Sequence, residues 1–112
     1  MTEHDLDGTT IDYTYDGGGS FRVRFYDGLV AYEFLGEQTG EISRSNENIP
    51  YVCRSLGYHR YHVAWHEKNI GDFVSLIIDE GSMEVFSAAL LGYESPDAII
   101  HFEHGTILTV DR

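Results

Sequence analysis

Apolar and polar residues alternate with a period of two along most of this chain, and glycine-bearing turns break the alternation at the roughly 8–12-residue spacing of short-stranded β proteins. An amphipathic helix repeats near 3.6 residues, so a period-two face is satisfied only by a strand with one side buried. Ile11, Tyr13 and Tyr15 alternate with Asp12, Thr14 and Asp16. Asp16–Ser20 (DGGGS) is a turn, and Phe21, Val23 and Phe25 then alternate with Arg22, Arg24 and Tyr26. Asp27-Gly28 signals a hairpin into a third strand, Leu29–Leu35. Glu37–Asn48 is polar and reads as a short strand plus a loop, with Pro50 just beyond it. Further strands are expected over Tyr51–Leu56, Tyr58–Glu67, Phe73–Ile78, Met83–Leu91 and Ala98–Glu103, followed by a tight turn at His104-Gly105 and a last strand, Thr106–Val110. The result is all-β, with roughly eight to nine antiparallel strands in a meander that has no long crossover. An up-and-down barrel is the architecture that leaves such a meander without edges.

A length of 112 residues allows one domain, expected to occupy the whole chain with residues 1–9 as a flexible N-terminus. Seven Lys and Arg stand against 19 Asp and Glu, a net charge of −12, which repels nucleic acid and anionic membrane. No apolar run approaches the ~20 residues of a membrane span, and Met1–Gly8 has neither the basic nor the apolar region of a signal peptide. The single Cys53 makes no internal disulfide and no cysteine-based zinc site, and reads as a small buried hydrophobe. A cytoplasmic domain is expected.

Alternation carries the Tyr61-Val63-Trp65 face on to Glu67. A carboxyl among apolar groups is disfavoured as the anion and suits general-acid work; the ordinary alternative is a strand-end carboxylate already in solvent. Tyr13 and Tyr15 share a face about 6.6 Å apart, two rises of ~3.3 Å. They could hold a small carboxylate between their hydroxyls, or simply be core residues with wet tips. Arg44, in the polar segment, offers a rigid fork for carboxylates, with Arg22, Arg24, Arg54 and Arg60 as competitors. His62 and His66 on one strand lie about 13 Å apart, too far to share an ion, so no metal site is expected. Gly17-Gly18-Gly19 lacks the following helix and lysine of a phosphate loop.

Tyr13-Thr14-Tyr15-Asp16, the glycine-rich turn and Phe21 resemble the opening of the phenolic acid decarboxylases. Tyr61-His62-Val63-Ala64-Trp65-His66-Glu67 is similar to that family's Tyr-x-Val-x-Trp-x-Glu strand, and Gly71-Asp72 with Val74-Ser75-Leu76 to the segment after it. Counted back from Trp65 without a gap, Arg44 falls at the family's catalytic arginine. The resemblance spans roughly residues 10–90 and extends to the molybdenum cofactor biosynthesis F-type barrels. It implies a lipocalin-like (calycin-like) barrel and cofactor-free, non-oxidative decarboxylation of a phenolic or related unsaturated acid. Tyr13 and Tyr15 would bind the carboxylate, Glu67 would handle the proton, and Arg44 would orient Glu67 or the substrate. Phe21, Tyr61, Val63 and Trp65 would wall the pocket. The F-type relatives imply the other reading, a barrel that binds an aromatic or polyketide-like ligand or acts on it differently. The family's tendency to dimerise extends the expectation to a homodimer. This chain departs from the family pattern at Gly18 and Gly19, at Phe21 and at Lys68, and it ends at Arg112 without the family's C-terminal extension.

Overall fold

A computed structural model describes residues 3–35 and 45–112. Eight strands follow one another: β1 (Thr10–Tyr15), β2 (Ser20–Tyr26), β3 (Leu29–Phe34), β4 (Ser45–Gly57), β5 (Arg60–Glu67), β6 (Asp72–Asp79), β7 (Glu84–Leu91) and β8 (Ile99–Asp111). Each pairs antiparallel with its neighbour in the chain, and β8 pairs with β1. The sheet is thus a closed up-and-down barrel without a free edge, and no helix occurs among the described residues.

Three boundaries differ from the sequence reading. The expected turn at His104-Gly105 is absent, and Ile99–Asp111 is one continuous strand, which makes the count eight. A Cβ at Gly105 would lie 2.6 Å from the Thr14 carbonyl oxygen and 2.9 Å from Val85 Cγ1. That glycine marks the close approach of neighbouring strands, where only a bare backbone fits. Tyr58 and His59, expected to open β5, instead form the β4–β5 turn with φ of 55° and 60°, the two positive values of a type I′ hairpin. Finally, β4 begins at Ser45 and runs through Pro50, which pairs with Leu29 of β3 but precedes the β4–β5 ladder at Tyr51. A proline costs no ladder bond there.

Alternation sends Ile11, Val23, Phe25, Val30, Ile49, Tyr51, Val63, Leu76, Ile78 and Val85 into the interior, where they fill one half of the barrel. The chain's own N-terminal segment closes that end. The expected flexible leader is, from Glu3 onward, a plug: Leu6 is 0% exposed, worth roughly 1.5–3 kcal/mol for a buried leucine. Gly8 N donates to the Phe25 carbonyl (2.7 Å) and Cys53 N to that of Glu3 (2.8 Å). The Asp7 carboxylate accepts Gly28 N (3.0 and 3.1 Å) and the Tyr51 hydroxyl (2.7 Å). Among the described residues, no such plug fills the opposite end of the barrel.

Candidate functional site

A cavity of about 510 Å³ opens at that end. One side is a run of aromatic side chains: Tyr13 and Tyr15 from β1, Phe21 from β2, Tyr32 from β3 and Trp65 from β5. Adjacent ring centroids along it lie 5.0 Å apart for Tyr13–Tyr15, 6.0 Å for Tyr13–Phe21, 6.3 Å for Phe21–Tyr32 and 6.4 Å for Tyr32–Trp65. Facing them are smaller groups, Val74 of β6 and Ser87 and Ala89 of β7. Large residues opposite small ones leave the barrel hollow here, where the other end is filled.

Glu67 ends β5 and points inward as alternation requires, only 1% exposed. It is neither a strand-end carboxylate in solvent nor a carboxyl in purely apolar surroundings, because three donors converge on it. The Tyr32 hydroxyl reaches Oε1 at 2.6 Å, Asn46 Nδ2 reaches Oε1 at 2.9 Å, and Trp65 Nε1 reaches Oε2 at 2.9 Å. Burial pushes the Tyr32 phenol above its ordinary range, and its hydrogen bond to Glu67 pushes it further.

Asn46 arrives through a β-bulge. Val30 pairs with Ile49 but Tyr32 with Asn46, so two steps on β3 match three on β4. Asn48 absorbs the extra residue with φ of 58°; its Oδ1 accepts the Tyr26 hydroxyl (2.9 Å) and its N–H donates back to that oxygen (3.1 Å). Alternation from Val30 would have found Tyr32. No period finds Asn46, because the bulge resets the phase.

The Tyr13 and Tyr15 hydroxyls lie 3.2 Å apart, within hydrogen-bonding distance of each other. They do not straddle a gap of the Cα spacing, because the two side chains lean together; the ladder with β8 also shifts register between Asp12 and Tyr13. One phenol donates to the other, so the pair presents one free hydroxyl hydrogen. Burial, then the neighbouring Tyr15, pushes the Tyr13 phenol well above its ordinary range. His101 of β8 joins this corner, edge-on to Tyr15 at 5.6 Å.

Two expected wall residues lie elsewhere. Val63 is 0% exposed in the packed half, and Tyr61, four residues before Trp65 and so about 13 Å further toward the plugged end, packs against the same core. Neither lines the cavity. Arg44 lies outside the described residues. Among those that are described, no group of three or more His, Cys, Asp or Glu could hold a metal ion.

No protein-family model and no curated protein matches this chain. A solved structure does: a crystal structure described as "a putative beta-lactamase from Burkholderia vietnamiensis", with a TM-score of 0.76 and 16% identity. The match covers 96% of this chain and 97% of that one. The likeness is one of fold. It places the whole chain within a known barrel shape and leaves the chemistry to the residues of the cavity.

Proposed function

We propose that the barrel is a cofactor-free decarboxylase of a small phenolic or related unsaturated carboxylic acid held in the open-end cavity. The observation that carries this reading is one aromatic wall with a hydroxyl pair, Tyr13–Tyr15, at one end and a buried carboxylate, Glu67, at the other, joined by Phe21 and Tyr32. The volume lies within the roughly 300–1,000 Å³ of small-molecule sites. The similarity of the Tyr13–Asp16 and Tyr61–Glu67 segments to the phenolic acid decarboxylases supports the same assignment.

In this reading the free hydroxyl of the tyrosine pair holds the substrate carboxylate, and the substrate ring lies along Phe21. Its phenol then reaches Tyr32, whose hydroxyl already donates to Glu67. The phenolic proton passes through Tyr32 to Glu67. The alkene carbon bearing the carboxyl takes up a proton relayed from water by the tyrosine pair, giving a quinone methide. The bond to the carboxyl then breaks, carbon dioxide leaves, and the electron pair restores the aromatic ring. The vinylphenolate recovers its proton from Glu67, so one proton from water replaces one carboxyl. An apolar aromatic wall favours the step because it trades a carboxylate for a neutral gas.

The three donors on Glu67 favour a second reading, in which the carboxylate is a fixed polar anchor and the barrel binds an aromatic or polyketide-like ligand unchanged. Incubation with 4-coumarate, ferulate and caffeate separates the two. The decarboxylase reading predicts loss of the cinnamate ultraviolet band with stoichiometric carbon dioxide, abolished by Glu67→Gln. Saturable binding without turnover would replace it with the second reading, and the absence of both would overturn the pair.

A further inference from the structure

The proposed reaction gives the cavity an anionic guest, yet two of its lining residues, Glu67 and Asp72, are acidic in a chain of net charge −12. Among the described residues, one basic side chain lines it: His101 of β8. Its place follows from strand length. β1 pairs with β8 only from Gly105 to Asp111, so residues 99–104 reach past the end of β1. Alternation turns His101 inward with its β7 partner Ala89, which also lines the cavity. The imidazole lies edge-on to Tyr15, ring centroids 5.6 Å apart. It therefore stands at the tyrosine-pair end of the aromatic wall, opposite the end that holds Glu67. Glu103, two residues on, brings Oε1 to 3.9 Å from His101 Nε2. That is longer than a hydrogen bond, so a negative charge lies beside the ring without tying that nitrogen. Gly17 in the β1–β2 turn makes the room, since a Cβ there would lie 2.6 Å from the same oxygen.

We infer that protonated His101 binds the carboxylate of the acid together with the Tyr13–Tyr15 pair, and so selects both the charge and the direction of the guest. This rests on the reading of the cavity as the site of a phenolic acid, and extends it from what reacts to what is admitted. The tyrosine pair has one free hydroxyl hydrogen for two carboxylate oxygens, and a charged donor is the stronger partner for such an oxygen. With a cation at one end of the wall and Glu67 at the other, the acid enters one way round. Its carboxylate meets His101 and its phenol points toward Tyr32 and Glu67. A neutral amide or phenol forgoes the first contact. Imidazole is the side chain that ordinarily changes charge between pH 5 and 8, so binding of the acid is also linked to a proton. The groups facing His101 are Glu103 on its own strand, Tyr15 and Tyr13 on β1, and Glu67 and Asp72 across the cavity, while Ala89 of β7 carries no ionisable group.

Calorimetry with 3-(4-hydroxyphenyl)propanoate and its amide tests this apart from turnover, because neither probe has the alkene that decarboxylation requires. At about pH 6 the wild type is expected to bind the acid about tenfold or more tighter than the amide, the scale of a hydrogen bond to a charged group. That margin is expected to shrink as pH rises to about 8.5. His101→Gln is expected to lose most of the margin and its pH dependence, with amide affinity within about twofold of the wild type, which also shows that the variant folds. His101→Arg is expected to keep the margin at every pH. Equal affinities in the wild type, a margin unchanged in His101→Gln, or one that still falls with pH in His101→Arg overturns the inference, as does binding of neither probe. Turnover of 4-coumarate judges the parent reading separately. Turnover with equal probe affinities removes the role of His101 and keeps the reaction, whereas an acid margin without turnover keeps the role and removes the reaction.

Discussion

Two tyrosines inside this barrel donate to carboxylates, Tyr51 to Asp7 at 2.7 Å in the plugged half and Tyr32 to Glu67 at 2.6 Å in the open half. Burial is the first cause raising both phenols, with the carboxylate partner second. The surroundings differ. Asp7 takes its remaining bonds from the backbone amide of Gly28, and Leu6 and Phe25 fill the space nearby. Glu67 takes its remaining bonds from the side chains of Asn46 and Trp65 and borders about 510 Å³ of open cavity. A tyrosine–carboxylate pair is therefore a staple where an exposed carboxylate pins a filled end and a candidate reactive centre where a buried carboxylate faces space. Local hydrogen bonding alone does not distinguish the two.

The largest effect that would break this comparison is catalytic. Glu67→Gln should lower turnover of a cinnamate by ~10²–10⁴, the usual worth of a positioned acid–base group. Asp7→Asn should leave turnover per folded molecule unchanged. Equal losses from both would mean the two ends do not differ. Next is packing: Leu6→Ala should cost about 2–5 kcal/mol in urea unfolding, as a buried leucine in a filled region does, while ligand affinity stays the same. Tyr13→Phe removes one hydroxyl of the pair and should weaken acid binding roughly fivefold, the ~1 kcal/mol of a single hydrogen bond, as read by calorimetry.

The smallest effect sits on the outer wall. His104 bonds Asp16 in the β1–β2 turn and Glu84 on β7, both at 2.7 Å, and these carboxylates raise its imidazole above the ordinary value of 6.5, Asp16 most. A raised value means that the folded state favours the protonated ring. Its stabilisation is complete below about pH 6.5 and is lost as pH rises through the folded value. The melting temperature of the wild type should therefore fall between pH 6 and 8 relative to His104→Gln. Parallel melting curves would show that this exposed tether contributes nothing to the open end.

Alternation made most of the barrel legible, because strands with one buried face repeat every two residues, and it carried Glu67 to the interior along with Trp65. What it missed was set by contacts that no period records. Gly105 resembled a turn but answers a steric demand from Thr14 and Val85. Leu6, a lone apolar residue in an acidic stretch, carries no pattern, yet it fills the floor. Asn46 lies behind a bulge, and the Tyr13–Tyr15 contact depends on how side chains lean, which spacing along a strand cannot give. Of the four residues expected to carry the reaction, Tyr13, Tyr15 and Glu67 share the cavity.

The chain's single tryptophan gives the most direct test that the open end is a ligand site, because Trp65 donates its indole N–H to Glu67 beside the cavity. In a ¹H–¹⁵N correlation spectrum of Tyr13→Phe, used to slow turnover, that one indole resonance should shift saturably as 4-coumarate is added, with the amides of the Leu6–Asp7 plug unmoved. An indole resonance that stays fixed at millimolar acid, or shifts no more than the plug, would contradict the account.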